Sequence, residues 1–311
     1  VNSYGDKLSP NLNGDRILGG YSFSTYLKIG DGCDNCCTYC AIPQIRGRMR
    51  SRTVEDCVSE AKRLADRGVT ELIIVAQDTT AYGTDIYGRP MLTELLKELV
   101  KIEKLHWIRT LYTYPERITD ELLELIAKEK KLCKYLDMPI QHVNGEILKR
   151  MNRKGNEESL RALVEKIRNK VPDITLRTTL ITGFPGETEE EFSATLDFIR
   201  RCGFAQIHVF PYSVRPGTKA ADMEQVPKNI KEERAARAGE VAAALHEKYL
   251  LSCVGKIVPV LFEQPGAPGF YTGHAPNYME VSAPGENLHN CLRPVRITAV
   301  EGSVLKGEIA P

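Results

Sequence analysis

Short apolar runs alternate along this chain with longer stretches in which apolar residues return every three or four positions, the two periods that mark strands and helices. The runs at 26–29, 72–75, 107–112, 134–138, 174–181 and 206–210 predict strands. Between them, Thr53 followed three residues later by Asp56 is a capping signal that opens a helix over 53–67, with Gly68 as its stop. Further helices are expected over 92–103, from Thr119 with Leu122, Leu123 and Ile126 on one face, near 145–151, over 157–170 and over 188–202. Regular alternation of strand and helix predicts a parallel sheet with right-handed crossovers. The expected fold class is therefore α/β, an open and partial (β/α)6 barrel.

The pattern changes at both ends. Residues 1–20 are rich in Gly, Asn, Pro and Asp and predict irregular structure. A long Ala-rich, charged helix is expected over 228–251, after which short strand-like runs at 257–262, 278–282, 294–300 and 304–309 are divided by Gly and Pro turns. That texture predicts a small C-terminal all-β barrel. The expected organisation is an irregular segment over 1–20, the partial barrel over 21–225, a connecting helix over 226–252 and the β-barrel over 253–311.

The length of 311 residues accommodates one large and one small domain, and 42% hydrophobic with 27% charged residues is the balance of a globular protein. A net charge of +1 announces neither nucleic acid nor membrane as partner. No run of 18 apolar residues occurs and no basic-then-apolar leader opens the chain, so a cytoplasmic location with reduced thiols is expected. The chain starts at Val1 in what reads as the middle of a longer protein, and a further N-terminal domain is expected upstream.

Four of the nine cysteines fall between Cys33 and Cys40. Thiols this close without a secretory signal read as metal-binding or catalytic, not as a disulfide. Cys33, Cys37 and Cys40 in C-x3-C-x2-C spacing suit three corners of a cubane iron–sulfur cluster, whose fourth iron stays open for a ligand. Zinc is the rival, with Cys36 or a distant residue completing four ligands.

In open α/β sheets ligands bind beyond the carboxyl ends of the strands. The cysteine loop follows the first strand, and 76–80, 139–142 and 182–187 follow the second, fourth and fifth, so their polar groups should converge. Arg46, Arg48, Arg50 and Arg52 alternate, which on an extended segment makes either a phosphate-binding stripe or a set of internal partners for carboxylates. Glu187 reads as a first-turn helix residue with a structural role. His142 reads as a hydrogen-bonder at the site's edge, since no second histidine has ligand spacing near it.

With Tyr39 just before the third cysteine, the loop resembles the signature of radical S-adenosylmethionine (SAM) enzymes; with Asp31-Gly32, Thr38, Ala41-Ile42-Pro43 and the arginines from 46 to 52, it resembles their methylthiotransferase branch. Cys36 departs from that branch, which usually has a polar or basic residue there. The resemblance implies a [4Fe-4S] cluster whose open iron is chelated by the amino and carboxylate groups of SAM. It also implies cofactor-binding roles for Tyr39, for Gln77 or Asp78 at the SAM amino group, for Gln141 and Arg177 at the ribose hydroxyls and carboxylate, and for the backbone of Gly183, Phe184, Pro185 and Gly186 at the adenine. An internal ion pair of Arg177 with Asp137 is the competing reading. The segments Ala-Gln-Asp-Thr-Thr from 76, Leu-Asp-Met-Pro-Ile-Gln-His from 136, and Tyr4-Gly5-Asp6-Lys7 resemble the subgroup that modifies a small-subunit ribosomal protein at the β-carbon of an aspartate, with a flavodoxin- or ferredoxin-like electron donor. The C-terminal barrel resembles the TRAM domain of these enzymes, an OB-like barrel, and a second cluster is expected only in the upstream domain. Residues 210–218 and 273–278 look closer to the tRNA-modifying subgroup, which keeps a modified adenosine open as substrate. A TRAM-like barrel with four Lys/Arg (256, 293, 296, 306) against five Glu (263, 280, 286, 301, 308) implies weak RNA contact at most. A zinc-stabilised binding module without catalysis is the alternative from a different class.

Overall fold

The structure is a computed structural model and describes residues 23–311; Tyr4-Gly5-Asp6-Lys7 and the segment 1–20 lie outside the described residues. Strands β1 (Ser24–Lys28), β2 (Glu71–Val75) and β3 (Trp107–Thr110) form a parallel sheet in that order. Strands β4 (Tyr135–Asp137), β5 (Thr175–Thr182) and β6 (Gln206–Pro211) form a second. The two meet at a seam where Ile108 bridges Leu132 and Thr113 N–H donates to Asp137 O at 2.8 Å. The expected open barrel is therefore present as two three-stranded halves. Strand β3 ends two residues before the expected 112 because Tyr112 adopts a left-handed φ of 58°, which turns the chain out of the sheet.

Helices pack outside the strands. Helix α1 (Val54–Asp66) is capped by Thr53, whose hydroxyl accepts from Asp56 N–H at 3.2 Å. Helix α2 (Leu92–Leu99) is shorter than expected; α3 (Asp120–Lys128) starts from the Thr119 cap and α4 (Glu157–Lys170) from an Asn156 capping box. Helix α5 (Glu189–Cys202) begins with a reciprocal box of Thr188 and Glu191 and ends at the left-handed Gly203. Leu64, Leu95, Leu123, Ile167, Phe192 and Ile199 face the sheets, and each contributes about 1.5–3 kcal/mol through removal from water.

Helix α6 (Lys228–Leu251) leads to strands β7 (Ile257–Pro265), β8 (Phe270–His274), β9 (Glu280–Pro284), β10 (Cys291–Glu301) and β11 (Val304–Ile309), which close into a barrel of order β8-β9-β11-β10-β7. Strand β8 lies between the expected strands at 257–262 and 278–282, in a stretch where only Gly and Pro turns are expected. Its glycine answers a different need: a Cβ at Gly273 would stand 2.1 Å from Leu261 O, so only glycine allows the two strands to close. The 275–278 loop of this barrel seals the amino-terminal end of the larger one. Arg109, wholly buried, donates to Glu71 Oε1 from Nε (3.0 Å) and Nη2 (2.8 Å), to Pro276 O at 2.7 Å and to Ala275 O at 3.3 Å, and stacks over Tyr278. Among the described residues no helix is long and apolar enough to cross a membrane.

Candidate cofactor site

The cysteine loop is an arch pinned at both feet. Gly30–Asp31 pairs with Arg50–Ser51, and Asp34 Oδ1 accepts from Met49 N–H at 3.2 Å. Gly32 has φ 78° and a Cβ there would lie 2.1 Å from Arg48 O, so the residue before Cys33 has to be glycine. Cys33, Cys37 and Cys40 line one cavity of about 480 Å³ at the carboxyl ends of the strands, within the range of ligand sites. Cys36, also left-handed (φ 52°), is exposed and does not line it; Asn152 Nδ2 holds its carbonyl at 3.0 Å. Burial pushes the Cys33 thiol up to about 11 and raises that of Cys40. Thiolate character at these positions therefore comes with a bound metal, which deprotonates a coordinating thiol outright. A larger cleft of about 940 Å³ lies between the two barrels and holds none of these cysteines.

Of the other residues expected at the site, Tyr39, Gln77 and Gln141 line the cavity. Gln77 Oε1 is buried with no hydrogen-bond partner among the described residues, an acceptor waiting for a donor. Gln141 is left-handed (φ 68°) and locked by backbone bonds to Thr179 O and from Ile181 N–H, which leaves its side chain toward the cavity. Asp78 does not line it. Its carboxylate is filled by Asn35 Nδ2 (2.7 Å), Arg117 Nη1 (2.7 Å), Thr80 Oγ1 (2.5 Å) and Ala81 N–H (3.1 Å), so it braces the cysteine loop and has no capacity left for an ammonium group. Arg177 is likewise absent from the cavity wall and pairs with Asp137 (Nε to Oδ1, 3.1 Å), the internal pairing weighed from the sequence.

The turn of Gly183, Phe184, Pro185 and Gly186 stands behind the wall instead of in it. Phe184 is buried edge-to-face between Tyr39 (6.5 Å) and Tyr212 (5.4 Å) and so fixes Tyr39. The glycines allow close packing of protein against this turn: a Cβ at Gly183 would meet Lys231 at 2.4 Å and one at Gly186 would meet Arg150 at 1.9 Å. Glu187 is structural as expected, accepting from Gly183 N–H and Arg234 Nη1, both at 2.7 Å. His142 is not at the edge. It is buried behind the wall, 3.2 Å from Glu187, and its Nδ1 accepts from Asn144 N–H.

The four arginines do not form a stripe. Arg46 and Arg50 approach Asp31 (3.7 Å each), Arg48 approaches Asp34 (3.4 Å), and Arg52 pairs with Asp56 and Glu60, so each faces a carboxylate of the chain itself. The sequence reading missed Tyr114 and Arg153, which also line the cavity. Cys37 Sγ lies 3.7 Å from Tyr114 Oη, and the Arg153 guanidinium sits 4.0 Å over the Tyr114 ring. Neither has a motif; the one signal was Asn152-Arg153 at the end of the helix Gly145–Arg150, where a chain leaving toward the cysteine loop places them.

A three-cysteine loop at the carboxyl mouth of a two-part parallel barrel defines a class. The radical SAM superfamily pattern matches residues 27–199, and the chain belongs to that superfamily. Membership implies an iron–sulfur cluster and SAM as cofactors, and three thiols beside an orphaned acceptor on one cavity fit them. In particular the chain is similar to ribosomal protein uS12 methylthiotransferase RimO: 44% identical to that of Symbiobacterium thermophilum, over 95% of this chain and 63% of that protein, and 53% to that of Clostridium tetani, over 71% and 50%. The RimO of Alkaliphilus oremlandii is 44% identical over 95% of this chain and 70% of its own. The chain thus spans about half to two thirds of the length of these relatives. In fold it is similar to coproporphyrinogen III oxidase HemN from Escherichia coli (TM-score 0.53, 17% identity, 82% of this chain, 67% of that one) and to TsrM from Kitasatospora setae (TM-score 0.52, 17% identity, 79% and 41%).

Proposed function

We propose that this chain is the SAM-cleaving and substrate-positioning part of a methylthiotransferase that modifies the β-carbon of an aspartate in a small-subunit ribosomal protein. The observation that carries the reading is Cys33, Cys37 and Cys40 on one cavity with Gln77 Oε1 unpartnered beside them. The three thiols would hold the cluster, and the Gln77 oxygen would accept from the SAM ammonium. When bound, cluster and SAM supply a deoxyadenosyl radical able to take hydrogen from an unactivated carbon. The protein's part is placement and dryness. Asp78, Asn35 and Arg117 hold the cysteine loop in register, and Tyr39 on Phe184 walls the cavity against water.

The same proposal divides the chain at about 225 and 253 and gives the second cluster to a domain upstream of these residues. It places the reaction in the cytoplasm with a flavodoxin- or ferredoxin-like donor. The even charge of the C-terminal barrel favours a protein target over RNA.

Iron and acid-labile sulfide content with EPR spectra, after anaerobic reconstitution and reduction, with and without SAM, test it. About four irons per chain and a SAM-perturbed spectrum are expected. Stoichiometric zinc without iron would sink the enzyme reading, and methylthiolated product from this chain alone would sink the assignment of sulfur insertion to an upstream domain.

A further inference from the structure

Beneath the cavity the lumen of the larger barrel carries polar groups that are not part of its lining. Residues two apart on a strand share a face, so Arg177 faces the lumen with the cavity-lining Thr179 but one pleat, about 7 Å, deeper. His208 pairs in register with Thr179 and shares its face of β6 with Phe210, which also lines the cavity, the two rings stacked at 6.4 Å. Asp137 engages Arg177 through Nε, and its other oxygen accepts from Tyr112 N–H at 3.2 Å, so the terminal fork of Arg177 is not spent on it. His208 Nε2 and Tyr135 Oη are buried with no hydrogen-bond partner among the described residues. Desolvation, with the Arg177 charge second, lowers the His208 pKa and keeps the imidazole neutral, still able to present an N–H. Two orphaned polar atoms beside an arginine fork suit a group with two acceptor oxygens.

We propose that Arg177, His208 and Tyr135 receive the side-chain carboxylate of the substrate and thereby present the carbon next to it to the cavity above. The inference rests on the aspartate reading, in which the reacting carbon is bonded directly to a carboxylate. SAM is the other source of that group. Its carboxylate, if it chelates the open iron, belongs beside the cysteine loop at the rim, and the Arg177 level lies a pleat below the lining.

Titration calorimetry of the reconstituted chain decides between them, with ribosomal protein uS12, uS12 whose target aspartate is replaced by asparagine, and SAM as probes. Arg177→Gln strands Asp137 and risks the fold, so His208→Ala and Tyr135→Phe, which leave the Arg177–Asp137 pair in place, are the working variants. The wild type should prefer the aspartate form by about tenfold or more, and each variant should shrink that preference at least about threefold while SAM affinity stays within about twofold, as loss of one hydrogen bond to a charged group predicts. Discrimination kept by both variants overturns the carboxylate floor alone. Weakened SAM with unchanged uS12 binding assigns the floor to SAM and also overturns it. A wild type that treats the two uS12 forms alike overturns the aspartate reading and the floor together.

Discussion

Asn35 Nδ2 donates to Asp78 Oδ2 across 2.7 Å, and Arg117 closes the ring by donating to that same oxygen at 2.7 Å and to Asn35 Oδ1 at 2.9 Å. This is how the loop after β1 is held by the segments after β2 and β3. Asp78→Ala removes the acceptor shared by both donors and strands Arg117, at a cost of about 2–4 kcal/mol. The expected outcome is a lower melting temperature together with lower iron occupancy at limiting iron, read by calorimetry and iron assay. Unchanged occupancy would show that the loop needs no brace.

Alanine at Cys33, Cys37 or Cys40 should each abolish the four-iron cluster, whereas Cys36→Ala should leave iron content and EPR spectrum as in the wild type. Cys36 faces outward on its left-handed turn, so its thiol is not on the wall that the other three share. Loss of the cluster in Cys36→Ala would mean that the loop rearranges on loading.

Gln77→Leu carries opposite signs in two measurements. Removing a buried acceptor that has no partner should hold or raise the melting temperature of the free chain. The same change should weaken SAM about tenfold, because a charged donor loses its acceptor. Thermal scans with and without SAM read both, and equal SAM stabilisation of the two proteins would remove Gln77 from the site.

Arg109→Leu should destabilise by about 3–5 kcal/mol, since Glu71 is left as an uncompensated buried charge, while Glu71→Leu with Arg109→Leu should recover much of the loss. Denaturant titration checks the pair. SAM affinity should not follow, because this pair sits at the barrel's other end from the cysteines.

Helix starts were legible because Thr53, Thr119 and Thr188 sit within three residues of the N–H groups they cap. The cysteine triad was legible for the same reason: its ligands share one loop. What escaped was long-range. Asp78 looked like a free acceptor because nothing near it in sequence reveals Asn35 and Arg117 as its donors. The 183–186 turn looked like a ligand cradle, yet Lys231 and Arg150 fill the space its glycines leave. Of the two readings of the arginines from 46 to 52, partners of the chain's own carboxylates is the one found; the stripe required an extended backbone, whereas Ile42–Arg46 is helical and Gly47 breaks the alternation. Local chemistry survives translation from sequence; pairings across tens of residues depend on how strands stack.

The contacts of Arg109 with the carbonyls of Ala275 and Pro276 are made to backbone, not to side chains. A small barrel that presents two carbonyls at that spot would satisfy the hydrogen bonds of the arginine whatever its own sequence, and only the ring of Tyr278 adds a side chain to the contact. Exchange of the C-terminal barrel between relatives is thus constrained by the path of that loop and by the few side chains that meet the larger barrel, Leu261, Asn290 and Leu292 among them, and the rest of its surface is left open to diverge.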